Sequence, residues 1–189
     1  MLKNRCFPAC LYGVLLWLLP FSGYANEFAA EVRQAEITLE GDSYVLSADI
    51  LYQLSDKAME ALQNGVPLFW DLQVKVQQQR DFLWNKTLVD TTIRYRLQYH
   101  ALLNMYRVKN EGDGEVYNFS TLSAALDSMS AIRGFRLIEK TELGPEKQYL
   151  CAVKVNFDRD ALPLPLRPIA YIDPQWYLSS DWTLWPLKK

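Results

Sequence analysis

The sequence contains very few of the residues on which metal centres and most hydrolytic mechanisms depend. It has one histidine, His100, and three cysteines among 189 residues. Zinc generally needs three or four protein ligands, so this composition argues against a transition-metal site. A Ser-His-Asp or Cys-His mechanism would have to use His100, whose neighbours on the same predicted strand face, Arg94 and Arg96, cannot orient it as an aspartate would. We expect a structural histidine, no cofactor and no catalytic residues.

The N-terminal segment has the layout of a secretory signal peptide. Two basic residues precede an apolar stretch over residues 6–19, and small residues follow up to Ala25. The apolar stretch is shorter than the roughly 20 residues of a membrane-spanning helix, so we expect cleavage between Ala25 and Asn26. An uncleaved signal would instead anchor the chain in the membrane. We therefore predict a signal peptide at residues 1–25 and a periplasmic protein.

Removal of residues 1–25 leaves 164 residues, with 18 basic and 22 acidic side chains. A mildly acidic chain offers no electrostatic case for binding nucleic acid. Cys6 and Cys10 are lost with the signal, and Cys151 alone cannot form an internal disulfide. An exported domain without disulfides depends on its hydrophobic core, which is typical of a bacterial periplasm. We expect a single domain over residues 26–189.

Alternation of apolar and polar residues predicts most of the strands. It is strongest in Leu88–Val108, where residues 91–100 place one row of side chains on a core and the row that includes Arg94 and Arg96 on the opposite face. Consecutive apolar residues between His100 and Asn104 indicate a bulge or tight bend within this strand. Similar patterns and turn residues predict the other strands at 32–39, 44–54, 67–76, 116–119, 135–140 and 149–157.

Two helices are predicted between these strands. Ser55 can cap the first, which should end near Asn64-Gly65, and Ser120 can cap the second, Thr121–Ile132, with Arg133-Gly134 at its end. The result is an α+β, β-rich fold, an antiparallel sheet or sandwich of about eight strands with two short helices. The element order is ββαββ twice, which fits either an internal duplication or a coincidence of common elements.

The C-terminal residues 158–189 differ in composition from the rest. Prolines at 163, 165 and 168 predict an extended arm that crosses the domain, because proline cannot donate to a central strand. Trp176, Trp182 and Trp185 follow, and so aromatic a segment must dock on something. These tryptophans could close the core or form a platform that stacks a carbohydrate or a peptide.

Several of these residues together resemble a known family. The stretch Tyr99-His100-Ala101-Leu102, the segment 162–166 and the spacing of Trp176, Trp182 and Trp185 resemble domain-of-unknown-function family 4390, a group of exported proteobacterial proteins. The resemblance covers most of the chain after the signal and implies export. It also suggests a sensor kinase as a neighbour in signalling, because members are often encoded beside one. It implies no catalytic residues.

Two further groups of side chains are candidate sites. Arg94 and Arg96, joined by Arg107, could bind a phosphate or carboxylate, or they could be a solvated face paired with acidic residues of neighbouring strands, namely Asp71, Glu36 and Asp49. Asp71, Asp90 and Asp158 could supply the paired carboxylates of a glycoside hydrolase, although the sequence does not determine their separation.

These observations leave three functional hypotheses. The first is a non-catalytic periplasmic module that binds a protein partner, such as a membrane-bound sensor kinase. The second is a carrier of a small ligand or lipid, which requires a cavity of several hundred Å³. The third is an envelope hydrolase, which requires a deep cleft with His100 beside a serine and a carboxylate. The candidate binding residues are Arg94, Arg96, Trp176, Trp182 and Trp185.

Overall fold

The computed structural model describes residues 29–80, 83–144 and 147–187. The predicted signal peptide at residues 1–25 lies outside this part of the chain. Within the described residues, no helix is long and apolar enough to cross a membrane. The strands, numbered in chain order, are β1 Ala30–Glu40, β2 Ser43–Tyr52, β3 Leu68–Gln78, β4 Lys86–His100, β5 Met105–Asn110, β6 Val116–Phe119, β7 Ala131–Glu139, β8 Tyr149–Phe157 and β9 Thr183–Pro186. The α-helices are α1 Asp56–Gln63, α2 Leu122–Ser130 and α3 Arg167–Ile172.

The strands form two antiparallel sheets, one of three strands in the order β1-β2-β7 and one of six in the order β6-β5-β4-β3-β8-β9. The predicted β-rich antiparallel fold is therefore confirmed. The inward rows of both sheets belong to one hydrophobic core, so the sheets stack as two layers. Tyr52 of β2 and Trp70 of β3 meet across the layers, with ring centroids 5.7 Å apart.

The predicted alternation is clearest in β3 and β8. Every second residue of β3, from Leu68 to Val76, is at most 1% exposed, and the residues between them are half-buried. In β8 the predicted inward row, which includes Cys151 and Phe157, is buried. The two strands pair with each other over the whole length of β8 and form the centre of the wide sheet.

The predicted helices occur with shifted ends. Ser55 caps α1 as expected, since its hydroxyl accepts the amide of Ala58 at 3.2 Å. Thr121, and not Ser120, caps α2. The helix also ends at Ser130 and not at Ile132, because Ala131 and Ile132 already pair with Asp49 and Ala48 in β2. Hydrogen bonds to a neighbouring strand outweigh the local helical pattern there.

The bend at His100 reverses the chain. Residues 101–104 form a turn with Asn104 at a φ of 49°, and β5 then runs antiparallel along β4. Leu88–Val108 is therefore a hairpin within one sheet and not a single bent strand. The order ββαββ does occur twice, but the halves pair differently. In the first half β2 bonds to β7, whereas β6, at the matching place in the second half, is an edge strand.

The expected extended arm over residues 158–189 contains helical turns. Arg159–Ala161 and Pro174–Trp176 are 3-10 turns, and Arg167–Ile172 is α3. Pro168 stands in the first turn of α3, where a backbone N–H has no helical partner, so this proline is compatible with a helix. The arm then returns to the wide sheet and adds β9 to β8.

Candidate functional site

The outward face of β4 carries the predicted arginine row. Arg94 lies opposite Asp71 of β3, and its Nη1 is 3.1 and 3.2 Å from the two carboxylate oxygens of that residue. Its Nη2 is 2.5 Å from Asp158, and the guanidinium lies 4.9 Å from the centre of the Phe69 ring. Arg96 is 3.3 Å from Glu111. Both guanidinium groups are thus paired with carboxylates of this chain.

The pKa values of Asp71 and Arg94 both depend on the cluster that these residues form with Asp158. Burial raises the pKa of Asp71, although the charge of Arg94 opposes the change. The pKa of Arg94 is also raised, because its hydrogen bond to Asp158 and the nearby carboxylate charges together outweigh its partial burial. The carboxylates of Asp71 and Asp158 converge on one guanidinium, and Asp90 is 3.0 Å from Lys75. Each of the three candidate carboxylates therefore has a cationic partner.

The three candidate tryptophans occupy different environments. Trp176 is 2% exposed and stacks on Phe157, with centroids 6.1 Å apart. Trp185 lies opposite Cys151 and packs against the core. Trp182 is 41% exposed, with the ammonium groups of Lys75 and Lys154 5.3 and 5.9 Å from its ring. The structure does not bring the three rings onto one surface.

His100 ends β4 and is half-buried. Its buried Nε2 has no hydrogen-bond partner among the described residues. Within the same part of the chain, no three histidine, cysteine or acidic residues are grouped closely enough to hold a metal ion.

An apolar opening lies between the two sheets. This inter-sheet cleft has a volume of about 720 Å³. Its floor is the inner face of β4, β5 and β6, and its roof is β7. The apolar lining consists of Ile93, Tyr95, Val108, Tyr117 and Phe119 on the floor and Ile132 and Phe135 on the roof.

The cleft lies where the inward face of the wide sheet is incompletely buried. The inward side chains of β3 and β8 are buried, and so are Leu97 of β4 and Val108 of β5. Ile93 and Tyr95, further toward the start of β4, remain half-buried. Burial and the charge of Asp113 raise the pKa of Tyr95.

A bulge in β7 shapes the roof. Ala48 and Leu46 of β2 are two residues apart, but they pair with Ile132 and Phe135, which are three apart. The extra residue falls at Arg133-Gly134, where Gly134 has a φ of 62°. A bulge of this kind lets two side chains that strict alternation would place on opposite faces point the same way. Both Ile132 and Phe135 therefore face the cleft.

The rim of the cleft is acidic apart from Arg133, which also lines the cleft but whose guanidinium is 2.5 Å from Asp49. Asp113 and Glu115 line it, and neither lies within salt-bridge distance of a cation among the described residues. Asp113 accepts hydrogen bonds from the Asn110 amide and the Glu115 backbone, and Glu115 accepts one from the Tyr117 hydroxyl. This last bond raises the pKa of Tyr117. Two uncompensated carboxylates thus stand beside aromatic rings.

A second groove, about 830 Å³ in volume, lies between β1 and the C-terminal arm. It is polar and carries both signs of charge, with Lys154 and Arg159 near Glu31 and Asp181. The guanidinium of Arg159 is already held over the rings of Tyr171 and Tyr177. The lining of this groove is therefore only weakly apolar, and its charged side chains cancel to no net charge.

The residues of the inter-sheet cleft were not among the sequence candidates. One signal was present, since Tyr95 belongs to the alternating row that predicts β4 and Tyr117 belongs to the predicted strand 116–119. The sequence does not reveal that the narrow sheet leaves these rings uncovered, because that depends on how the two sheets pack on each other.

Comparison with known proteins gives one match. A family model described as Domain of unknown function (DUF4390) matches residues 28–186, which is most of the chain. No curated protein and no solved structure matches the sequence.

Proposed function

The chain belongs to the DUF4390 family, and we propose that it is a non-catalytic, exported periplasmic module that binds a protein partner through the inter-sheet cleft. The observation that carries the proposal is the cleft itself, an open surface lined by Tyr95, Tyr117 and Phe135. Aromatic side chains are enriched at the centres of protein interfaces, because they supply large contact areas at low cost in conformational entropy.

The chemistry of the cleft favours binding over catalysis. Its described lining contains hydroxyl and carboxylate groups but neither histidine nor cysteine. The carboxylates considered for hydrolysis lie elsewhere, and Arg94 holds two of them. The predicted signal peptide would bring the protein into the cell envelope, so we expect the partner to be there as well. A membrane protein such as a sensor kinase is the partner that the family resemblance suggests.

The second candidate function is a carrier of a small apolar ligand. A volume of about 720 Å³ falls within the range of small-molecule sites, so the cleft is large enough. The predicted proline arm does not line it, however, and the acidic rim and open side suit an elongated occupant better than an enclosed lipid. The two candidates differ in the mass of what is bound.

Photo-crosslinking in the cells that produce the protein tests the proposal. A photoreactive phenylalanine analogue replaces Tyr117 in the cleft or, as the matched control, Tyr171 in α3. The two tyrosines are 51% and 48% exposed, and each donates its hydroxyl to a carboxylate. We expect a protein adduct from position 117 and none of that mass from position 171.

Two results would contradict the proposal. One is an absence of protein adducts from position 117, and the other is the same adduct from both positions. Native mass spectrometry of the purified protein separates the second candidate, since a carrier would show a bound molecule of lipid size and no protein adduct.

A further inference from the structure

The free edge of β6 borders the inter-sheet cleft. β6 is the terminal strand of the wide sheet, and residues 112–118 are all exposed. The amide of Asn110 donates to the carbonyl of Glu115 at 3.0 Å, so the backbone groups of Glu115 face β5. Because these groups alternate in direction along an antiparallel strand, the N–H and C=O groups of Val116 and Asn118 point away from the sheet.

This edge lacks the features that normally protect a free strand. Edge strands avoid pairing with other chains through charged side chains, bulges or proline. The free strand β1 carries several charges and a bulge between Val32 and Gln34, and β9 ends in Pro186. The four residues of β6 are Val, Tyr, Asn and Phe, and they pair with β5 without a bulge. β6 therefore remains open to another strand.

A strand added to β6 would place every second side chain in the cleft. Glu115 and Tyr117 are two residues apart and share the inward face, so an inward side chain of the added strand would meet both. The carboxylates of Glu115 and Asp113 lack a cation, whereas Glu111 on the same hairpin is paired with Lys109 and Arg96. A lysine or arginine matches this setting, because its stem packs on apolar walls and its charge reaches the rim.

We infer that the occupant of the inter-sheet cleft is an extended segment of the partner that pairs with the free edge of β6 and directs a lysine or arginine toward Asp113 and Glu115. The inference rests on the proposed function, since it specifies how the partner binds. Backbone hydrogen bonds would supply affinity, and the inward cation would supply selectivity.

Binding of synthetic peptides to the purified protein tests the inference. The probes are a fluorescent peptide of alternating lysine and valine and a second one of alternating glutamate and valine, and the readout is fluorescence anisotropy. We expect the lysine peptide to bind at least about tenfold more tightly and to weaken as salt is added. Equal binding of the two peptides, or no binding of either, would overturn the inference.

A proline substitution tests the strand pairing. Val116→Pro removes an N–H that points away from β5, so the β5–β6 ladder is retained while the bond to an added strand is lost. The matched control is Leu184→Pro in β9, where the bond from the Leu187 amide to Tyr149 indicates that the N–H of Leu184 also points outward. We expect Val116→Pro to weaken binding of the lysine peptide about tenfold and Leu184→Pro to leave it unchanged. Equal effects would exclude pairing with β6.

The double variant Asp113→Asn, Glu115→Gln provides a test that does not depend on the backbone. It keeps an oxygen at position 113 for the backbone amide of Glu115 and one at position 115 for the Tyr117 hydroxyl, gives up the hydrogen bond from the Asn110 side chain, and removes both charges. We expect it to abolish the preference for the lysine peptide while the thermal unfolding midpoint stays near that of the unmodified protein. If the double variant still preferred the lysine peptide, the inference would be overturned, even if Val116→Pro failed to fold. The proposed function would still stand if the photoreactive side chain at position 117 gave protein adducts.

Discussion

The indole Nε1 of Trp70 in β3 donates a hydrogen bond to the backbone carbonyl of Leu178, 108 residues later in the chain, at 3.3 Å. Both residues are at most 1% exposed. The bond attaches the C-terminal arm to the centre of the wide sheet. The hydroxyls of Ser179 and Ser180, which follow directly, accept the amides of Phe157 and Val155 at 2.9 and 2.8 Å and extend the attachment along β8.

We expect Trp70→Phe to lower the free energy of unfolding by about 1–3 kcal/mol, because the buried carbonyl of Leu178 loses its donor. Trp84→Phe makes the same chemical change at a side chain that is 96% exposed and should alter stability by less than about 0.5 kcal/mol. Urea unfolding followed by circular dichroism measures both. Similar losses from the two variants would mean that the arm is not held at Trp70.

We expect Arg94→Gln to destabilise the protein by about 1–3 kcal/mol at neutral pH, because it leaves Asp71 and Asp158 facing each other without their shared cation. The loss should depend on pH. Burial already raises the folded-state pKa of Asp71 and Arg94 opposes this, so without Arg94 that pKa rises further, and the variant loses stability as the pH rises from the unfolded value near 3.8 to the folded one. At lower pH Asp71 is protonated, and the difference from the unmodified protein should shrink.

The control for this prediction is Arg33→Gln. The ion pair of Arg33 with Glu31 is 3.8 Å long, and both side chains are at least 60% exposed, so the effect should be small at every pH. Unfolding curves measured between acidic and neutral pH would contradict the prediction if the effect of Arg94→Gln were constant across that range.

Cys151 should resist alkylation in the folded protein. Burial raises the pKa of its thiol to about 12, and its side chain is fully enclosed in β8. The reactive thiolate is therefore scarce and inaccessible at neutral pH. We expect iodoacetamide to label Cys151 in denaturant only, while Ser123→Cys, on the exposed face of α2, should be labelled at once. Rapid labelling of Cys151 under native conditions, read by mass spectrometry, would show that β8 opens locally.

Gly134→Ala should cost about 1–2 kcal/mol of stability. Gly134 has a φ of 62°, a conformation that side chains with a β-carbon disfavour, although no atom lies within 4 Å of the added β-carbon. Gly134→Asn should restore part of the loss, since asparagine tolerates this conformation better than alanine. Thermal unfolding midpoints of the unmodified protein and the two variants measure these differences. If the unmodified protein and Gly134→Ala were equally stable, a β-carbon at this position would not strain the bulge.

The sequence predicts the strand β8 to the residue and the ends of the hairpin strands β1 and β2 to within two residues. Their alternation is regular, and the turn at Gly41 has a clear glycine signature. The sequence predicts a bulge or tight bend at residues 101–104 but not a chain reversal, because Ala101, Leu102 and Leu103 form an apolar run without turn residues, although the side chain of Leu102 is fully exposed. Asn104 accepts a hydrogen bond from the Tyr99 hydroxyl and stabilises a turn that local preferences do not reveal.

The sequence by itself determined which side chains of the regular strands β3 and β8 face inward, because alternation is a local property of the backbone. It also placed Arg94 on the outward face of β4, and Asp71, which pairs with it, was among the partners proposed for a solvated face. Only the tertiary structure decided that β2 pairs with β7 and that β6 remains an edge. Such pairings join residues far apart in the chain, and their stability depends on the whole core. The inter-sheet cleft follows from how the two sheets pack on each other, which no single segment encodes.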